Sequence, residues 1–236
     1  MREQATNYQA TQLMFFNISR LLLPTFFCLI SSGCSTHMAG ITDTFNAFFY
    51  SPQDVSAVKT LNPSIRYLRV VSPGGVSLLA LGYVDKHPFG PIEVWYSSVG
   101  DVLRIQNGHI VGLTGGSVQW RHVSFSNMPE WLEDQTSKTT YERTRDVMPG
   151  YLFGVRDYIE LAKTSAPSPS NFVAIASAQS VRVQWYEANE KFRRLPTARF
   201  AVQSIGGVQT VVYGEQCLSL SFCLTWQLWP TADSPK

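Results

Sequence analysis

The dipeptide Asn107-Gly108 stands between two short runs, Val102 to Gln106 and His109 to Leu113, and nothing else in the chain restricts its folding as strongly. Asn-Gly accepts positive φ at both centres of a two-residue type I′ turn, whose twist matches that of the strands it joins. The same punctuation recurs along the chain. Ile65 to Val71 and Val76 to Val84 flank Pro73-Gly74-Gly75, Ile92 to Ser97 ends near Gly100, and Val118 to Phe125 follows Gly115-Gly116. Thr139 to Val147 and Tyr151 to Ala162 meet at Pro149-Gly150, and the end of the second run also fits a helix. Phe172 to Ala176, Ser180 to Tyr186, Arg199 to Ser204, Val208 to Tyr213 and Cys217 to Trp229 complete the series, with Gly206-Gly207 as a late turn. Strands on short links pair antiparallel, because parallel neighbours need long crossovers. The expected fold is therefore all-β: antiparallel meander sheets packed as a sandwich or half-barrel, with one or two short N-terminal helices.

Those helices are expected between Ile41 and Thr60. Ile41, Phe45, Phe48 and Phe49 recur at helical spacing, and Ser51-Pro52 reads as an N-cap with proline in the first turn. Ahead of them, an apolar run from Leu21 to Ile30 follows Arg20 and ends in Ser31-Ser32-Gly33-Cys34. It falls short of the roughly 20 apolar residues a spanning helix needs. The order of charged, apolar and small residues is that of a secretory signal, and Ser32-Gly33-Cys34 matches the box where lipoprotein signal peptidase cuts. Cleavage is expected between Gly33 and Cys34, with the Cys34 thiol carrying the lipid. An ordinary secretory leader is the alternative. Met14 offers a second start, with Phe15 to Arg20 as a compact charged region. Two lipid signals suffice for stable attachment, so an acylated Cys34 would hold the chain on a membrane. Ser35 in place of Asp is the usual pattern for export to the outer membrane.

The leader, residues 1–33, leaves residues 34–236 as one β-rich body, with a candidate subdomain boundary near 165–171 in the Ala166-Pro167-Ser168-Pro169-Ser170 stretch. A net charge of +2 excludes a strong field towards nucleic acid. Aromatics at 13% nearly match charged residues at 15%, so the body should bury a sizeable core. With Cys28 in the leader and Cys34 lipidated, Cys217 and Cys223 remain as a candidate disulfide. An unbroken strand would hold them roughly 20 Å apart, so only a turn or bulge between them permits the bond.

Catalytic motifs are missing from the sequence. His37, His87, His109 and His122 share no metal-ligand spacing and read as surface or strand histidines. No nucleophile elbow or phosphate-cradling loop occurs. Glu130, Glu133 and Asp134 gather around Trp131, but three acids in one loop read as a solvated face rather than a glycosidase pair. No enzyme, cofactor or metal is expected. Trp95 and Tyr96 point to opposite faces of one strand, which places Trp95 in the core. Tyr96 and Trp131 are left as candidate glycan contacts.

Tyr67, Gly82, Glu93-Val94-Trp95, Gly100, Leu103, Gln106 to Val111, Thr114-Gly115 and Met128-Pro129 succeed one another at a spacing that resembles the YjbF/GfcB family of bacterial lipoproteins. That family is linked to exopolysaccharide and group 4 capsule production. The resemblance covers most of the mature chain and is specific over Tyr67 to Trp131. It implies an antiparallel β body facing the periplasm from an outer-membrane lipid anchor, and no catalytic residues. The implied role is accessory or assembly factor for polymer production or secretion, with polysaccharide-export proteins or the polysaccharide as partners. A periplasmic glycan-binding module is the alternative.

Overall fold

The computed structural model describes residues 61–132, 137–168, 170–173 and 183–229. Gly33 and Cys34, both expected helices, Glu133, Asp134 and the tail from Pro230 lie outside the described residues. Twelve strands follow in order: β1 (Tyr67–Ser72), β2 (Gly75–Asp85), β3 (Ile92–Tyr96), β4 (Val102–Gln106), β5 (His109–Thr114), β6 (Gln119–Ser126), β7 (Thr139–Met148), β8 (Leu152–Thr164), β9 (Val183–Glu190), β10 (Ala198–Ile205), β11 (Val208–Cys217) and β12 (Cys223–Trp229). Each pairs antiparallel with its sequence neighbours, and β1 also pairs with β12, from Tyr67 opposite Trp229 to Val71 opposite Thr225.

The fold is all-β and antiparallel, and its single sheet goes beyond a half-barrel by closing completely. Register shifts at Leu81/Tyr83, Arg104/Ile105, Trp120/His122, Arg145/Val147 and Ala201/Val202 add the bends that closure requires. Opposite walls nevertheless touch, as two packed sheets would. The Trp120 indole N–H donates to the Leu218 carbonyl at 3.1 Å, and the Ile110 amide donates to Gln216 Oε1 at 2.9 Å. At the Asn107-Gly108 turn, φ is 46° and 80°, as type I′ geometry demands. A Cβ on Gly108 would sit 2.5 Å from Val211 of the far wall, so glycine is needed there twice over.

The interior is filled rather than hollow. Leu68, Trp95, Leu103, Ile110, Trp120, Leu161, Phe200 and Trp226 are all at most 2% exposed. Outward positions carry Arg104, Glu142, Arg156, Glu187 and Arg199. This reverses the apolar-out, polar-in wall of a membrane-spanning barrel, where a mid-wall Arg on the lipid face costs about 2–4 kcal/mol. Among the described residues no helix is long and apolar enough to cross a membrane.

Local expectations change at two places, Cys217 to Trp229 and Phe172 to Ala176. Cys217 to Trp229 is not one strand, because residues 218–222 turn back, with the Leu218 amide donating to the Phe222 carbonyl at 2.8 Å. That turn sets Cys217 opposite Cys223, where the two form a disulfide. The Tyr151 to Ala162 run is strand from Leu152 to its end, with no helix, and that end pairs with β9. The strands before and after residues 165–171, β8 and β9, are neighbours in one sheet. Phe172 and Val173 form no strand. Phe172 packs on Trp185 and Tyr213 of the outer wall, and the Gln227 side-chain amide exchanges two hydrogen bonds with the Val173 backbone.

Candidate functional site

One rim of the barrel is stoppered by Trp131. The chain leaves β6 through Asn127, at φ 58°, and turns inward across the opening. The Trp131 indole N–H donates to the Asn107 carbonyl, Asn107 Nδ2 donates to the Pro129 carbonyl, and the Tyr186 hydroxyl donates to the Leu132 carbonyl, each at 3.0 Å. Trp131 is 5% exposed and therefore cannot serve as a glycan platform. Its ring stacks on His109 at 5.4 Å and 16°, and Phe125, Tyr141 and Phe200 close around the same imidazole at 4.9 to 5.6 Å.

His109 is accordingly no surface histidine. Burial, aided by the nearby Arg143 guanidinium, pushes its pKa down to about 3, and the ring stays neutral. Burial likewise pushes the Tyr141 hydroxyl above its usual range, against the opposing pull of Arg143.

Deeper in, β7 and β8 turn charge towards the core. Arg143 and Arg145 alternate with Tyr141 and Val147 on the inward face, and Asp157 faces Arg143 across the strand pair. Asp157 accepts from Arg143 Nη2 and Nε at 2.8 and 3.0 Å, and from Arg145 Nε and Nη2 at 2.7 and 3.2 Å. Burial alone would raise the Asp157 pKa, but the hydrogen bonds and charge of Arg145 and Arg143 outweigh it and hold the carboxyl below its usual range. Both guanidiniums also lie over the Trp120 ring, at 4.5 and 5.1 Å. The cluster is sealed and fully partnered, so its chemistry is to hold β6, β7 and β8 in register.

Arg194 extends this network to the outside. Its Nη2 lies 3.1 Å from Glu190 Oε1 and 3.6 Å from Asp157 Oδ1. Glu190 in turn accepts the amides of Phe192 at 3.1 Å and Arg194 at 2.8 Å, and the Lys191 amide donates to the Tyr158 carbonyl at 2.8 Å. The loop between β9 and β10 is thereby fixed against β8.

Beside that loop runs a cleft of about 940 Å³. Strand register sets Ser126 opposite Glu142, Glu142 opposite Tyr158, and Glu160 between Thr140 and Asn189. The loop adds Lys191, Arg193 and Thr197, and inward-facing Tyr141, Ile159 and Leu195 reach the cleft where β6 ends. Asn189 and Thr197 hold each other at 2.6 Å, and Lys138 pairs with Glu160 at 2.7 Å.

Tyr96 is exposed, as its strand position implies, while Trp95 is fully buried. The Tyr96 ring lies over Gly82, where a Cβ would come within 2.5 Å of it, and beside Tyr83 at 6.3 Å. A hydrogen bond with Tyr83, above all, raises its pKa. Tyr96 and Trp131 are not brought together, since one rides the outer wall and the other plugs the interior. Tyr158 and Glu142, which do line the cleft, stand in no sequence motif. Their signal is the alternation of the Thr139 and Leu152 runs, which turns both outward. Among the described residues no group of His, Cys, Asp or Glu is placed to hold a metal ion.

Fold and site together define a class: among the described residues, a closed, up-and-down, twelve-stranded barrel with a packed interior, a stoppered rim and a large cleft of mixed lining. No family model matches the chain, and no curated protein does. Among solved structures it is similar to the hypothetical lipoprotein YmcC from Escherichia coli (K12), with TM-score 0.51 and 14% identity, over 86% of this chain and 100% of that one. At that identity the likeness is one of fold.

Proposed function

We propose that the protein is a lipid-anchored, periplasm-facing accessory factor of exopolysaccharide or capsule production, held in the outer membrane and acting by binding rather than catalysis. The observation that carries this is the Ser32-Gly33-Cys34 box at the end of a short apolar run. A fold shared with a protein described as a hypothetical lipoprotein supports it. So does the resemblance over Tyr67 to Trp131, which supplies the polymer and its export proteins as partners. The non-enzymatic part rests on the buried ionisable groups, which are locked in partners or held neutral.

Mass spectrometry of protein purified from gradient-separated membranes tests the anchor. Acyl mass on Cys34 in the outer-membrane fraction is expected, and Cys34→Ala should release the chain. Unmodified wild-type protein in the soluble periplasm would sink the lipoprotein reading. Unchanged polymer output after deletion of the gene would sink the accessory role.

A further inference from the structure

We propose that the cleft along β6 to β9 binds an oligosaccharide that carries carboxylate groups. Its lining is mixed, with Tyr158, Ile159, Leu195 and Leu220 set among polar and charged side chains, which is not the extended basic surface that nucleic acid requires. Sugars need two things together: an exposed aromatic face for their C–H groups, and side chains that both donate and accept towards neighbouring hydroxyls. Tyr158, 38% exposed, supplies the first, with Phe192 set edge-on to it at 6.1 Å. Asn127, Asn189 and Thr140 supply the second, and Glu142 adds an acceptor.

The charge points to the class of sugar. Glu160 is neutralised by Lys138, whereas Lys191 and Arg193 stand on the rim without a carboxylate among the described residues. Glu190 is paired with Arg194, so among the described lining residues two cations face one carboxylate without an ion pair, that of Glu142, which favours a uronate-type ligand over a neutral one.

The site is also preformed. Glu190 and Arg194 pin the loop that carries Lys191 and Arg193, so little ordering remains for the moment of binding. Asn127 and Arg193, on either side, hold left-handed φ values of 58° and 54°. Non-glycine residues in that region cluster at ligand sites.

The inference rests on the binding reading above for the origin of the sugar, and its test is separate. The full chain in detergent is offered an array of uronate-containing and neutral oligosaccharides, and the strongest hit is titrated calorimetrically. Retention of uronate-bearing fragments at least tenfold above neutral ones is expected. Tyr158→Ala, and separately Lys191→Ala with Arg193→Ala, should each weaken binding at least tenfold, while Tyr151→Ala leaves it unchanged. The two loop substitutions are on exposed positions and keep the test valid if Tyr158→Ala disturbs β8. No retained saccharide, equal retention of neutral ones, or equal competition by polyglutamate overturns the proposal. Lost polymer on gene deletion without any saccharide binding overturns the cleft alone. Binding with normal polymer output overturns the accessory role alone.

Discussion

His109 shows how much one side chain can commit a protein to a pH range. In the unfolded chain its imidazole titrates at the ordinary value of 6.5, while in the fold it does so at about 3. The folded pKa is the lower one, so the native state binds fewer protons between those values. Stability is full above pH 6.5 and falls as the pH drops, by about 1.4 kcal/mol per pH unit. Asp157 and Glu190, with pKa values held low by their arginine partners, add to acid loss only at lower pH. Urea midpoints between pH 6.5 and 5.5 therefore isolate the histidine. His109→Phe, which places another ring among Phe125, Trp131, Tyr141 and Phe200, should flatten that limb. An unchanged slope would show that His109 is not the group responsible. Nothing in the sequence spacing marks His109 as interior, because its neighbours come from β6, β7, β10 and the Trp131 loop. Arg143 and Asp157 were more legible, since both stand at inward parity beside Tyr141 and Ile159. Their pairing depended on a register that only the folded sheet sets.

At the scale of the element, turns explain what could be read in advance. Asn107-Gly108 and Pro149-Gly150 act through local backbone chemistry, so the strands beside them lie within a residue or two of expectation. The segment from Cys217 to Trp229 lacked any such marker. Its turn at residues 218–222 contains neither glycine nor proline and is held by Ser219, the Leu218 amide and the disulfide. With its ends six positions apart, that bond should contribute about 2 kcal/mol through loop closure. Replacing both Cys217 and Cys223 by Ser should lower the urea midpoint accordingly without altering far-UV circular dichroism. A loss several times larger would mean that the turn organises more of the barrel than β11 and β12.

At the scale of the molecule, closure is the property least visible beforehand. It sums five register shifts with one pairing between the first strand and the last, and no local signal encodes that sum. Closure removes the free edges through which β-proteins aggregate. The backbone amides of β1 and β12 should then exchange as slowly as those of β7 and β8 in native-state hydrogen exchange. Fast exchange confined to β1 and β12 would mean that the seam opens in solution.

Twelve is an even number, and this parity has its own consequence. The chain enters at Tyr67 and leaves beyond Trp229, directly opposite on the same rim. An odd strand count would have sent the two ends to opposite poles. All six turns of the other rim, among them the exposed Val99, Tyr151 and Leu220, belong to uninterrupted hairpins. Among the described residues the barrel is thus polar in the geometric sense, with one pole where the strand series begins and ends and the other built wholly of hairpin turns.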